Sequence, residues 1–179
     1  MNLKNNSLII LSWMLFISCQ SDSSKAYVPE SNGNINALTV VMNNSSWEGS
    51  LGSNIKESLM EPYEGLPFDE PKYDLYYIQP SIFKGFARNS RNIIVFRKDT
   101  SDQGFRLIKN LWARPQITAL ITGEDEEVMN FYFDENKDLL LRSISENERI
   151  EKIRRMKKSL NDDPQLKDRF GINLTFPDA

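Results

Sequence analysis

Residues 116–160 read QITALITGEDEEVMNFYFDENKDLLLRSISENERIEKIRRMKKSL, a short apolar run followed, after Gly123, by a long stretch with neither glycine nor proline. Gln116–Thr122 (QITALIT) has the composition of a strand. Glu124–Leu160 is rich in helix formers, and Thr122 and Asp125 can cap its start. The apolar set Met129, Phe133, Leu140 and Ile144 lies on one helical face, but Ile150, Ile153, Met156 and Leu160 continue it on a shifted stripe. That slip predicts one long helix with a kink, or two in series meeting near Asp134–Asp138. Glu148 with Lys152 and Glu151 with Arg155 are i,i+4 pairs, the pattern of a solvated face worth roughly 0.2–0.5 kcal/mol per pair. Asp162-Asp163-Pro164 stops the helix, and Gly171–Phe176 (GINLTF) predicts a last strand.

Upstream, Ile35–Met42 (INALTVVM) is β-branched and apolar, a first strand. Ser45 and Glu48 have the spacing of a capping box, and Trp47, Leu51, Ile55 and Leu59 follow on one helical stripe that ends by Pro62. Glu61–Pro71 is a proline-rich loop. Tyr73–Ile78 predicts a strand, and the continuous apolar run Asn92–Phe96 predicts a central strand covered on both faces. Asp99–Gly104 is a turn cluster, Phe105–Ile108 a weaker strand, and Pro115 suits a strand edge. The order strand, helix, strand, strand, hairpin strand, long helix, strand predicts an α+β domain, ferredoxin-like, with an antiparallel sheet and two main helices on one face.

At the other end, Lys4 supplies a positive flank, Leu8–Ser18 an uncharged apolar run too short to span a bilayer, and Phe16-Ile17-Ser18 stands directly before Cys19, the one cysteine of the chain. An apolar N-terminal segment with a positive flank is a targeting signature. Its end resembles a lipobox, where cleavage before the cysteine leaves a new N-terminus that carries acyl chains; Phe16 stands where such boxes usually have leucine. The expected organisation is therefore a lipoprotein signal peptide over 1–18, a flexible tether over 19–34 and one α+β domain over 35–179. A tether such as Gln20–Asn34, polar and poor in apolar residues, spans about 20 Å root-mean-square. Asp22, shortly after Cys19, resembles the acidic export signals of surface lipoproteins, which implies the expectation of a cell-envelope protein at the outer membrane rather than the inner.

Composition narrows the chemistry. The chain has 179 residues, 22 Lys and Arg against 25 Asp and Glu, and no histidine. The mild acidity gives no electrostatic basis for nucleic-acid binding. Without histidine, and with its one thiol expected under lipid, it lacks Ser-His-Asp and Cys-His catalysis, thiolate zinc sites and disulfides. No cofactor is implied. An enzyme built here would run on carboxylates, and a glycan hydrolase would need two of Glu48, Glu61, Glu64, Asp69 and Glu70 facing each other within about 10 Å. The acidic cluster Glu124–Glu127 reads as a helix start complementing the dipole, since it lacks the alternating carboxylates and glycine of a calcium loop. Ser45, Ser46, Gly49 and Gly52 read as capping and close packing. The remaining candidate is a binding face for a protein or glycan: Arg88, Arg91, Arg97, Arg106 and Arg114 are interleaved with Tyr76, Tyr77, Phe83, Phe86 and Trp112, and Tyr76, Arg88, Arg91, Trp112 and Arg114 are its nominated members.

Several stretches carry a resemblance: Tyr27-Val28-Pro29-Glu30-Ser31, Trp47-Glu48-Gly49 with Gly52, Gly65-Leu66-Pro67 with Glu70-Pro71, Gly85-Phe86, Arg91-Asn92-Ile93-Ile94 and Trp112-Ala113-Arg114-Pro115-Gln116. Together with the lipobox they resemble a family of uncharacterised lipoproteins of Bacteroidota, a domain-of-unknown-function family. The resemblance implies a class and a location, a lipid-anchored envelope protein, and no catalytic residue. Members of that family usually run to roughly twice this length, so the resemblance also implies that this chain is an N-terminal half, a truncated product.

Overall fold

The computed structural model describes residues 27–158, 160–162, 164–172 and 175–177. The chain forms β1 (Ala37–Val41), α1 (Asn44–Glu48), α2 (Ser50–Leu59), β2 (Asp74–Ile78), a 3-10 turn (Gly85–Asn89), β3 (Asn92–Lys98), β4 (Gly104–Lys109), β5 (Ile117–Gly123), α3 (Glu126–Met156), β6 (Leu160–Asp162), α4 (Pro164–Phe170) and β7 (Thr175–Pro177).

The main sheet has the order β2-β1-β3-β5-β4. β2, β1, β3 and β5 run parallel, and only β4 is antiparallel, paired along β5 from Gly104↔Thr122 to Lys109↔Ile117. The α+β composition stands, but the expected ferredoxin-like antiparallel sheet is replaced by a mixed one. The reason is connectivity. The helix α2 carries the chain from β1 across to a parallel β2, and the next connection passes back over β1 to set β3 on its other side. The apolar runs of β1, β3 and β5 are buried nearly end to end, as strands covered on both faces must be.

The two faces are covered differently. Leu38, Val40, Met42, Ile94, Phe96, Ala119 and Ile121 pack under Leu51, Ile55 and Leu59 of α2 and Met129, Phe133, Leu140 and Ile144 of α3. On the opposite face Val41 and Ile93 meet Phe83, with Ala87, Val95 and Trp112 half-buried against them, so loops rather than helices close that side.

Three local expectations change. α3 is one continuous helix of 31 residues, with no break near Asp134–Asp138. Its buried stripe never slips; it turns polar, passing from Ile144 to Asn147, Glu148 and Glu151, while Ile150, Ile153 and Met156 are exposed. The first helix is split at Gly49 and begins at Asn44 without a side-chain cap, so Ser45 is not its cap. Finally, β7 pairs with β6 in a separate two-stranded ribbon, and Gly171–Ile172 lie outside it.

The folded part also starts before residue 35. Ser31 N donates to Arg114 O at 2.8 Å, Arg114 N to Pro29 O at 2.9 Å and Asn32 N to Asn89 O at 2.8 Å, which lays Pro29–Asn34 along the loop-covered side.

A Cβ at Gly52 would stand 1.9 Å from the carbonyl oxygen of Trp47, across the break between α1 and α2. Gly→Ala inside a helix ordinarily gains about 1 kcal/mol from propensity. At Gly52 the clash reverses the sign: Gly52→Ala should destabilise by about 1–3 kcal/mol, read as a lower urea midpoint, and a raised midpoint would contradict the packing described.

Candidate functional site

Two constructions set the geometry of the loop-covered side. The first is a buried ion network. Arg91, at the amino end of β3, is only 2 % exposed, as are Glu148 and Glu151 on α3. Arg91 Nε donates to Glu148 Oε1 at 2.7 Å, and its Nη2 reaches Glu148 Oε2 at 3.4 Å and the carbonyls of Gly33 and Asn34. Asn36 N donates to Glu148 Oε2 at 2.9 Å, and Asn92 Nδ2 to Glu148 Oε1. Glu151 lies 3.7 Å from Arg91 Nη1 and accepts from Arg154 at 2.7 and 2.9 Å and from Arg155 at 2.7 Å. Arg155 Nη2 in turn donates to Gly33 O at 2.7 Å. Arg91 therefore leaves the nominated binding face, and Glu148 and Glu151 leave the solvated face. The guanidinium points into the domain because two buried carboxylates and two backbone carbonyls offer it partners there.

The second construction is built by Gln116. Its Oε1 accepts from Trp112 N at 2.8 Å and Ala113 N at 3.3 Å, while its Nε2 donates at 2.7 Å to both Arg88 O and Ser90 O. One buried side chain thus pins the β4–β5 loop, which contains a cis Arg114–Pro115 bond, to the 3-10 turn. Trp112 meets Phe83 edge-on at 5.4 Å between ring centroids. The Arg88 guanidinium lies over both rings, 5.4 Å from Trp112 and 5.8 Å from Phe83, and its Nε donates to Phe83 O at 3.3 Å.

Around this cluster the two loops expose apolar side chains, Ile82, Phe86 and Leu111, the second of them 77 % accessible. Lys84, Arg88 and Arg114 are exposed beside them in sequence. Phe86 belonged to the aromatic–arginine pattern of the sequence. Ile82 and Leu111 carry no such signal, since a lone apolar residue in a loop is normally uninformative. Tyr76 is half-exposed on β2 and lines a separate groove of about 300 Å³ with Asn32, Asn34, Thr39, Ser90 and the buried Arg91, so two nominated residues meet there. The structure therefore joins Arg88 and Trp112, sets Arg114 beside them in the same loop, and keeps Tyr76 apart.

The other candidates sort as follows. Arg97 and Arg106 pair with Asp99 and Asp102 at 3.2 and 2.6 Å. Tyr77 stacks on Trp47 at 4.9 Å, under the Lys56 ammonium. Asp125 caps α3 by accepting from Val128 N at 2.9 Å, and Ser46 Oγ donates to Glu126 at 2.7 Å. Glu48 and the Glu61–Glu70 loop stand at opposite ends of α2, about 15 Å of helix apart. Lys72, 2.6 Å from Glu61, holds that carboxyl below the ordinary range, the opposite of a general acid. Among the described residues no group of three acidic or thiol side chains is placed to hold a metal, and no helix is long and apolar enough to cross a membrane. Cys19 and the signal-like segment lie outside the described residues.

Over residues 31–157 the chain matches the family described as Domain of unknown function (DUF8532), and it belongs to that family. No curated protein and no solved structure matches it.

Two predictions follow from the ion network. Arg91→Ala leaves the buried Glu148 carboxylate without its counter-charge and should destabilise the domain by about 3–5 kcal/mol; a loss below about 1 kcal/mol would show that the pair carries little. The second concerns pH. Hydrogen bonds from Arg154, then from Arg155, with the charge of Arg91, hold the Glu151 carboxyl down to about 2 against the opposing effect of burial, from an ordinary 4.5. Its folded value is depressed, so its contribution, about 3 kcal/mol, is complete above pH 4.5 and fades as pH falls toward 2. Urea titrations across that window should show the loss, and Glu151→Gln should flatten it.

Proposed function

We propose that this member of the family is a lipid-anchored protein of the cell envelope, at the outer membrane rather than the inner, and that it works as a non-enzymatic docking module. The observation that carries the docking reading is the Phe83–Trp112 clasp with Arg88 laid across it, edged by exposed Ile82, Phe86 and Leu111. Isolated exposed apolar residues mean nothing by themselves. Here they sit on two loops locked together by Gln116, beside three cations, on a chain whose overall charge is negative. Aromatic residues and arginine on a rigid base are what a protein interface concentrates at its centre. A partner segment that is apolar and acidic complements it.

Chain geometry supports a partner at the membrane surface. Pro29 is hydrogen-bonded to Arg114, next to the clasp, and Cys19 lies ten positions earlier in the sequence. A free-coil polypeptide of ten residues would span about 17 Å root-mean-square. An acyl chain on Cys19 would hold the exposed loops close to the headgroups and within reach of a membrane-embedded neighbour.

The anchor and the dock are tested separately. Cys19→Ser should abolish palmitate incorporation and move the protein to the aqueous phase of a detergent extraction; unchanged partition would overturn the anchor. With a photo-crosslinking residue at Phe86 of the full chain in native envelopes, a discrete protein adduct is expected, lost with Leu111→Asp and Arg114→Glu and retained with Tyr76→Ala. Adducts to phospholipid or glycan alone, or an adduct indifferent to Leu111 and Arg114, would overturn the protein dock.

A further inference from the structure

The sheet changes direction between β1 and β3. The connection leaving β1 crosses the helical face to reach β2, and the one arriving at β3 returns over the opposite face. In open sheets of parallel strands the carboxyl ends beside such a reversal are left uncovered, and ligands settle in the crevice between them. Two cavities of this protein lie at that place, both lined by Asn43, Phe96 and Lys98. The one on the helical side, about 240 Å³, has its acidic groups engaged: Asp125 in capping α3, Glu126 by Ser46.

The cavity on the other side differs. It measures about 330 Å³, with apolar walls from Val41, Val95, Pro80 and Phe83 and a polar rim of Asn43, Arg88, Arg97 and Lys98. Arg97 is taken up by Asp99 at 3.2 Å. Arg88 is not. The two rings and the Phe83 carbonyl hold its guanidinium in place through one face and Nε. Neither Nη makes a hydrogen bond, and no carboxylate lies within 4 Å, among the described residues. A guanidinium immobilised before any partner arrives is a ready-made fork for a planar oxyanion, and its fixed rotamer lowers the entropy lost on binding.

We infer that this cavity is a binding site for a small molecule bearing one carboxylate on an apolar body. Arg88 takes the carboxylate through its free Nη pair, Asn43 is placed to supply a further polar contact, and Val41 and Val95 receive the hydrocarbon. The planar fork of Arg88 matches the two oxygens of a carboxylate, and the apolar floor of Val41 and Val95 receives an uncharged body. The cavity shares Phe83 and Arg88 with the clasp of the docking reading, whereas the crosslinking test of that reading turns on Phe86, Leu111 and Arg114, so the two fail separately.

The test titrates the detergent-solubilised full chain with N-acetylphenylalanine, its neutral amide and phenyl phosphate, by calorimetry and by the fluorescence of tryptophan, since Trp112 lies under Arg88. The carboxylate should bind, with the amide and the Arg88→Met variant each weaker by at least about tenfold, and Arg97→Met changed by less than about threefold. Val95→Phe, which fills the floor without touching the cation, should also abolish binding and keeps the question decidable if Arg88→Met fails to fold. Binding of the amide equal to that of the acid, binding of phenyl phosphate alone, no saturable binding of any probe, or indifference to the folded Arg88 or Val95 variants would each overturn the site.

Discussion

A guanidinium buried between two glutamates decides how this protein is put together. Carrying Arg91, Glu148 and Glu151 out of water is expensive, and such pairs seldom stabilise more than an apolar replacement would. What the network supplies is position. Arg91 stands at the amino end of the central strand, Glu148 and Glu151 on the second half of the long helix, and the carbonyls of Gly33 and Asn34 complete the coordination from the N-terminal segment. Three remote pieces of chain are thereby held in one register. Removing the strand end or the helix would strand a charge in the interior, and removing the N-terminal segment would take two carbonyl acceptors from Arg91 Nη2, so they order together.

The network also explains why the two faces of the sheet have different characters. Apolar packing closes the helical side from Met129 to Ile144, and beyond Ile144 the same stripe is polar. Among the described residues the opposite side is met by loops and the 3-10 turn. Its cover is the N-terminal segment, tied by Arg91 and Arg155, and two loops, tied by Gln116. Loops positioned by a rigid scaffold are where proteins put recognition. Here the scaffold is unusually local: one glutamine amide satisfies four backbone groups and thereby places both rings under Arg88.

Much of this was legible in the chain, and what was not has definite causes. β1, β3 and β5 showed as β-branched apolar runs, and the burial of Asn92–Phe96 on both faces followed from the absence of alternation. The same property is the signature of parallel strands, yet the order of elements suggested a ferredoxin-like antiparallel sheet. Only the long return from β2 over β1 distinguishes the two, and that is a matter of topology. On the long helix, apolar residues were equated with buried ones. Ile150, Ile153 and Met156 are exposed, and the positions facing the sheet are Asn147, Glu148 and Glu151. A periodicity search that scores hydrophobicity alone therefore finds a slip where the backbone has none. Glu148 and Glu151 looked like members of surface pairs because their i+4 partners are cations. Glu151 does bind Arg155, while its buried side faces a strand residue 60 positions earlier. Of the nominated face, Arg88 and Trp112 meet as the interleaved pattern suggested. Arg91 did not declare itself, because an arginine beside an apolar strand reads the same whether it guards an edge or fills an interior.

The position of the N-terminal segment ties these parts into one account of function. A module attached through a long free tether samples many orientations, and no face of it is privileged. Residues 29–34 are instead laid against Asn89, Arg91 and Arg114, on the loop-covered side. The ion network is what anchors them: Gly33 O receives Arg91 and Arg155, and Asn34 O receives Arg91. If the loop-covered side docks a partner as proposed, Arg91 acts on that docking from the interior. It fixes where Gly33 and Asn34 lie on the domain, and in a molecule anchored as proposed it would set the side kept toward the membrane. A buried charge that contributes little to net stability is retained most readily where it performs such a positional task.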